Sequence, residues 1–181
     1  PGWVVASRGT VRDPCVSRLV AAANPCRCGM MFDPSRACAR VPDCGTDYMA
    51  RVSGPMLDRI DLRLEVPPVG FSDLDLPQDG ESSATVAARV ATARTLQTAR
   101  FQGAARTNAD LSGQALADAA TPDAEGKAYL LKAAERFQLS ARGYHRVMRV
   151  ARTIADLDGS GGVRRPHVAE ALSFRATGKD A

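Results

Sequence analysis

The alternation of polar and apolar positions in this 181-residue chain changes rhythm near residue 80. Before that point apolar residues come in short runs broken by Gly, Pro and Asp. Trp3–Ser7 and Arg18–Ala23 are apolar enough to predict strands. Leu62–Val66 alternates apolar and charged side chains, as a half-exposed strand does, until Pro67-Pro68 stops it. A short helix is expected around Pro55–Asp58. After residue 83 the period becomes helical. Ser83 is expected to cap a helix running to about Gln102, with Val86, Val90, Ala93 and Leu96–Gln97 near one face. A short helix follows from Asn108–Ser112 to about Ala119. Asp123 caps a third, whose buried stripe is Leu130, Leu131, Ala134 and Phe137. Ser140 caps a fourth, ending near Leu157. Gly159–Gly162 is a break, and Pro166 opens a last helix through Phe174. The pattern thus predicts a partial α/β piece over 1–70, a linker over 71–82 rich in Asp, Gly, Ser and Pro, and an all-α domain over 83–176.

Composition narrows this picture. Hydrophobic residues make up 45% and charged residues 24%, as in ordinary globular proteins. Aromatics are only 5%, so the core must be built mainly from Ala, Val, Leu and Ile. A net charge of +4 permits a polyanionic partner without requiring one. No apolar run reaches the roughly 18–20 residues of a membrane helix, and the first residues carry no basic leader followed by a long apolar stretch. A cytoplasmic location is therefore expected, with no membrane partner. The chain starts without Met and reads as the downstream part of something longer.

The cysteines are Cys15, Cys26, Cys28, Cys38 and Cys44, four of them crowded between positions 26 and 44. An odd count without an export signal argues against a disulfide scaffold and for a metal site or redox pair. Cys26, Cys28, Cys38 and Cys44 are close enough to surround one tetrahedral Zn²⁺, which would staple a segment too poor in apolar residues to fold by packing. The plainer reading is four reduced thiols in a surface loop. Cys15 has no partner nearby. His145 and His167 read as surface residues.

One set of motifs is more specific. Leu19 through Gly29, with Asn24-Pro25-Cys26-Arg27-Cys28, is followed by Asp33 through Cys38. Next come Arg51 through Leu62, with Leu57-Asp58-Arg59-Ile60-Asp61, and Glu65 through Val69. Gly80–Ser83, Asn108–Ala109, Leu139–Arg146 and Ala151–Leu157 follow in the same order. Over nearly the whole chain this resembles the magnesium-chelatase-like AAA+ ATPase family. Many members carry a second C-x-C pair where this chain has Cys38-Ala39-Arg40 and a displaced Cys44.

The resemblance implies the C-terminal portion of a AAA+ P-loop NTPase core followed by a helical lid. It also implies ATP and Mg²⁺ as ligands of the full-length protein and identical subunits in a hexameric ring. The implied activity is ATP-driven DNA remodelling, by helicase action or branch migration, in transformation and recombination. Asn24 would be sensor 1, Arg59 an arginine finger acting on the neighbouring subunit, and Arg142 sensor 2. Read without the resemblance, Asn24 could cap a strand end, and Arg59 could pair with Asp58 or Asp61. Arg146, Arg149 and Arg152 share roughly one helical face with Arg142, either for DNA or a subunit contact or as a solvated face. No G-x-x-x-x-G-K-[ST] occurs, and no acidic strand end precedes Asn24. The family carries both upstream of Trp3, so this chain alone is not expected to hydrolyse ATP. Two rival readings are a magnesium chelatase subunit metallating porphyrin and a non-enzymatic, zinc-stabilised interaction module.

Overall fold

The computed structural model describes residues 2–5, 12–15, 18–33, 35–70, 75, 80–102 and 107–175. The chain divides into two units, Pro1–Arg51 and Val52–Ala181, so residues 52–63 belong with the helical domain rather than with the segment preceding them. The expected linker over 71–82 lies mostly outside the described residues.

In the first unit, β1 (Gly2–Val5) pairs antiparallel with β2 (Arg12–Cys15), Trp3 lying opposite Pro14 and Val4 opposite Asp13. The expected first strand is present over its early residues; Ala6 and Ser7 lie outside the described set. Its partner β2 has no alternating pattern and was not anticipated. A short helix, α1 (Asp43–Met49), closes the unit. Arg18–Ala23 forms no strand, and neither does Leu62–Val66 in the second unit. Leu19, Val20, Leu64 and Val66 are 69–87% exposed. An extended segment becomes a strand only when a neighbour takes up its backbone N–H and C=O groups in a ladder. No described residue offers that ladder here.

The second unit comprises α2 (Gly54–Leu57), α3 (Ser83–Arg100), a 3₁₀ turn (Asn108–Asp110), α4 (Gly113–Ala120), α5 (Ala124–Arg136), α6 (Ala141–Leu157) and α7 (Arg165–Ser173). The anticipated caps hold α5 and α6. Asp123 Oδ1 accepts from the Gly126 N–H at 2.7 Å, and Ser140 Oγ from the Gly143 N–H at 3.0 Å. At α3 the cap is Ser82, one residue earlier than expected. Ser82 is extended at ψ 150 and accepts from the Thr85 N–H, so Ser83 is already inside the helix. Pro166 sits in the first turn of α7, where its missing N–H costs nothing.

α6 is the central helix and packs on α3, α4 and α7. Its Val147, Ala151 and Ala155 are fully buried among Leu116, Leu130, Val168 and Leu172, a core of small and aliphatic residues as the composition requires. Each fully buried Leu or Val there contributes about 1.5–3 kcal/mol of transfer free energy. Two details differ from the expected stripes. Leu131 is 48% exposed and Ala133 takes its place inside, because the α5 stripe follows 126, 130 and 133. On α3, Val86, Val90 and Leu96 remain exposed while Ala93 and Gln97 are buried. His167 is buried, not on the surface. Its Nδ1 accepts from the Arg164 N–H at 3.0 Å, and its Nε2 lies 3.2 Å from Asp158 Oδ2.

A polar knot crosses this core. The Asp156 carboxylate, with no side-chain exposure, accepts from both Nη atoms of Arg100 at 2.6 and 3.0 Å. It also accepts from Asn108 Nδ2 at 2.7 Å and from Arg152 Nε and Nη2 at 3.1 and 2.8 Å. Arg152 further donates to the Ser160 and Gly161 carbonyls. One carboxylate thereby joins α3, the 3₁₀ turn, α6 and the glycine-rich loop after it. At another corner Pro122 and Val163 form a parallel bridge, so α5 and α7 start side by side. A Cβ on Gly126 would stand 2.9 Å from Pro122 Cβ and from Asp123 Oδ1, and 3.1 Å from the Arg165 nitrogen, which is why glycine is needed there. Among the described residues no helix is long and apolar enough to cross a membrane.

Candidate functional site

Two groups of residues carry chemistry, one in each unit. In the first, the chain turns back at Cys26–Gly29, where the Gly29 N–H donates to the Cys26 carbonyl at 3.1 Å and Gly29 adopts φ 76. The turn sets Cys28 Sγ 3.2 Å from Cys26 Sγ. The first turn of α1 then presents Cys44, whose N–H donates to the Arg40 carbonyl. Gly45 allows this approach, since a Cβ there would meet Met31 Sδ at 2.5 Å and the Pro25 carbonyl at 3.3 Å. The sulfurs of Cys26, Cys28 and Cys44 all lie within 4.8 Å of one another. Cys38, only half-buried, stands outside this group of three.

The sulfurs surrounding a tetrahedral cation at about 2.3 Å stand about 3.8 Å apart, so this cluster can close on a metal with small adjustments. Between residues 18 and 51 the only buried described residues are Cys26, Cys44 and Gly45, while Phe32, Val41 and Met49 are exposed. Apolar packing therefore does little to hold the loop. The thiols are electrostatically unequal. A hydrogen bond from the Met30 backbone, aided by Cys26, lowers Cys28 to about 6. Hydrogen bonding to Cys38 and burial, with the neighbouring sulfurs, push Cys44 up to about 12. Three thiols this close can all give up their protons only with a cation between them to offset the repulsion of the thiolates.

Asn24 lies in the same unit, exposed, on the irregular segment before the cysteine turn. Arg59 and Arg142 belong to the second unit. Arg59 follows α2 and is exposed, and among the described residues its side chain donates only to the Pro55 carbonyl, at 3.1 Å. The two carboxylates that might have paired with it are committed elsewhere. Asp58 accepts from Ser140 Oγ at 2.7 Å and from Arg175 Nη2 at 3.1 Å, and Asp61 pairs with Arg146. Arg142 is exposed in the first turn of α6 and has no ion pair or side-chain hydrogen bond to a described residue.

Arg146, Arg149 and Arg152 do not form one free basic face. Arg146 is turned to Asp61, Arg149 Nε donates to the Leu111 carbonyl at 2.8 Å, and Arg152 is 2% exposed inside the Asp156 knot. Spacing of three and four places side chains near one another but does not say whether that stripe faces solvent or core, and toward its C-terminal end α6 turns it inward. The contacts of Asp58 with Ser140 and Arg175 had no local signal either, because the partners are 82 and 117 positions apart.

Residues 80–175 match the family described as magnesium chelatase, subunit ChlI C-terminal, and residues 3–74 match magnesium chelatase, subunit ChlI. The chain belongs to this magnesium-chelatase family. Among curated proteins it is similar to competence protein ComM of Haemophilus influenzae, 36% identical over 178 residues, 97% of this chain and 34% of the relative. It is also similar to YifB of Escherichia coli, 38% identical over 173 residues, 94% of this chain and 33% of the relative. An uncharacterised protein of Mycobacterium tuberculosis is 39% identical over 166 residues, 91% of this chain and 32% of the relative. The chain thus spans about a third of the length of these relatives.

Proposed function

We propose that the chain is the C-terminal part of a AAA+ ATPase motor that remodels DNA from within a ring of identical subunits. The observation that carries this reading is Arg59: an exposed guanidinium whose two acidic neighbours are bound elsewhere. Such a cation is free to meet a phosphoryl group on a neighbouring subunit and to stabilise the charge that develops during transfer. Arg142, exposed at the start of α6 and without an ion pair to a described residue, fits the role of sensor 2 toward nucleotide in its own subunit, and Asn24 that of sensor 1. ATP and Mg²⁺ would be held by the part of the full-length protein outside this chain. The link to DNA is supported by the competence name of ComM and by the mildly basic charge. The exposed apolar segments Arg18–Ala23 and Leu62–Val66 suit strands of a larger AAA+ sheet.

The test is the ATPase of the full-length protein as a function of its own concentration. If Arg59 acts across a subunit boundary, turnover per subunit rises by about 10²-fold or more between isolated subunits and assembled rings. Turnover that is already maximal in isolated subunits overturns the in-trans role, and absence of turnover under all conditions overturns the motor.

The cysteine cluster in this reading is a structural zinc site, with Cys26, Cys28, Cys38 and Cys44 as ligands. Metal analysis of the purified protein should find about one zinc per chain, and Cys44→Ser should lose it. Because the loop has so little apolar interior, chelation should also expose the loop backbone to proteolysis. Four freely titratable thiols in metal-free protein with an unchanged digestion pattern would sink the zinc assignment.

A further inference from the structure

Arg59 makes no ion pair with a described residue, yet the backbone that carries it is tied down on both sides. Asp58 has both carboxylate oxygens engaged: Oδ2 accepts from Ser140 Oγ, the cap of α6, and Oδ1 from Arg175 Nη2, just beyond α7. The Ile60 carbonyl accepts from Arg175 Nη1 at 3.5 Å. Asp61 pairs with Arg146 on α6, and the Arg63 N–H donates to the Phe174 carbonyl at 2.8 Å. Residues 58, 60, 61 and 63 are thus all bound to α6 or to the end of α7, while the Arg59 side chain is left exposed.

The joint depends on the charge of Asp58. Arg175 is 6% exposed, and burial together with the nearby charges of Arg63 and Arg146 pulls its pKa below the ordinary arginine range. Asp58 and Asp61 act against that shift. Without the Asp58 carboxylate a buried cation would face like charges, so the segment could not keep this seat unchanged. The joint also lies at the start of α6. Ser140 caps α6, and Arg142 stands two residues later in its first turn.

We propose that Asp58 is a positioning residue for Arg59, and that the Asp58–Ser140–Arg175 joint makes Arg59 move with the helix that carries Arg142. The proposal rests on the reading of Arg59 and Arg142 given above. A phosphate group that draws Arg142 displaces the start of α6. The same turn holds Asp58 through Ser140, so the displacement reaches Arg59 across a single peptide link. The nucleotide bound in one subunit would thereby set the arginine that this subunit offers to the next one.

The experiment uses full-length protein and a double-mutant cycle between positions 58 and 59. Asp58→Asn keeps an oxygen for Ser140 and removes the charge facing Arg175. In the Arg59 protein it is expected to lower kcat for ATP by about 10²-fold with the Kd for ATP changed less than about twofold, as for a displaced catalytic group. In Arg59→Ala protein the same replacement is expected to change the residual turnover by less than about threefold, because Asp58 acts only through Arg59. An equal loss in both backgrounds, or no loss in either, overturns the proposal. Should Asp58→Asn lose its helical circular dichroism, Ser140→Ala, which deletes one side-chain hydroxyl, is read in the same cycle by the same criterion. The underlying reading fails separately: Arg59→Ala alone would then leave turnover intact, and the positioning role would fall with it.

Discussion

Arg59→Ala in the full-length protein is expected to lower ATP turnover by about 10³-fold or more while ATP binds as before. The expectation follows from where the charge is and what surrounds it. Both neighbouring carboxylates are bound by Ser140, Arg175 and Arg146, so among the described residues removing the Arg59 guanidinium breaks no ion pair and deletes only one hydrogen bond, to the Pro55 carbonyl. Stability should therefore change little. The effect should appear in the chemical step, measured by single-turnover hydrolysis with bound ATP, and not in the Kd. Arg59→Lys should recover only part of the rate, since an ammonium lacks the planar fork of donors. A loss of ATP binding, or a lowered melting temperature of comparable size, would make Arg59 a structural residue.

Asp156→Ala is expected to destabilise the helical unit by about 3–5 kcal/mol, because it strands Arg152 and Arg100 without their counter-charge inside the core. Arg152 has 3% side-chain exposure and Asp156 none, so water cannot replace the lost partner without opening the fold. Urea titration followed by circular dichroism measures the loss. The pH dependence carries a second signature. Burial pushes the Asp156 carboxyl up, but hydrogen bonds from Arg100 and Asn108 and the charge of Arg152 outweigh it and hold it below the ordinary range. A group with a depressed folded pKa contributes stability above its unfolded value, about 3.9, and loses that contribution as the pH falls through the folded value. The wild-type unit should lose stability below about pH 4, and Asp156→Ala should lack that part of the acid transition. Near-wild-type stability of the variant would mean that the knot is worth no more than a surface ion pair.

The helical unit was largely legible in the sequence, because helix ends are decided locally. Asp123 and Ser140 each meet a backbone N–H three residues on, and Pro166 needs no N–H, whatever the rest of the chain does. The crowding of Cys26, Cys28 and Cys44 was legible for the same reason, since a tight turn and a short helix suffice to bring their sulfurs together, while Cys38 stands outside that trio. Properties that depend on distant partners were not. Arg18–Ala23 and Leu62–Val66 have strand-like composition but no described ladder partner. Arg152 and His167 look like surface residues by type. They are buried because Asp156 and the Gly159–Gly162 loop receive the first, and Arg164 and Asp158 the second. The free state of Arg59 was equally hidden, since it depends on what Ser140, Arg146 and Arg175 do to its neighbours.

The parallel bridge between Pro122 and Val163 has an electrostatic consequence. It starts α5 and α7 side by side, so the positive ends of two helix dipoles meet at the corner that Gly126 keeps closed. Like ends repel, and Arg165 in the first turn of α7 adds a full positive charge to them. The acidic residues gathered at this corner offset that field: Asp123 caps α5, Glu125 in its first turn pairs with Arg165 at 2.9 Å, and Asp158 approaches Arg164 and His167. Their placement lets two helices begin at one point, with the field at that point balanced by side chains.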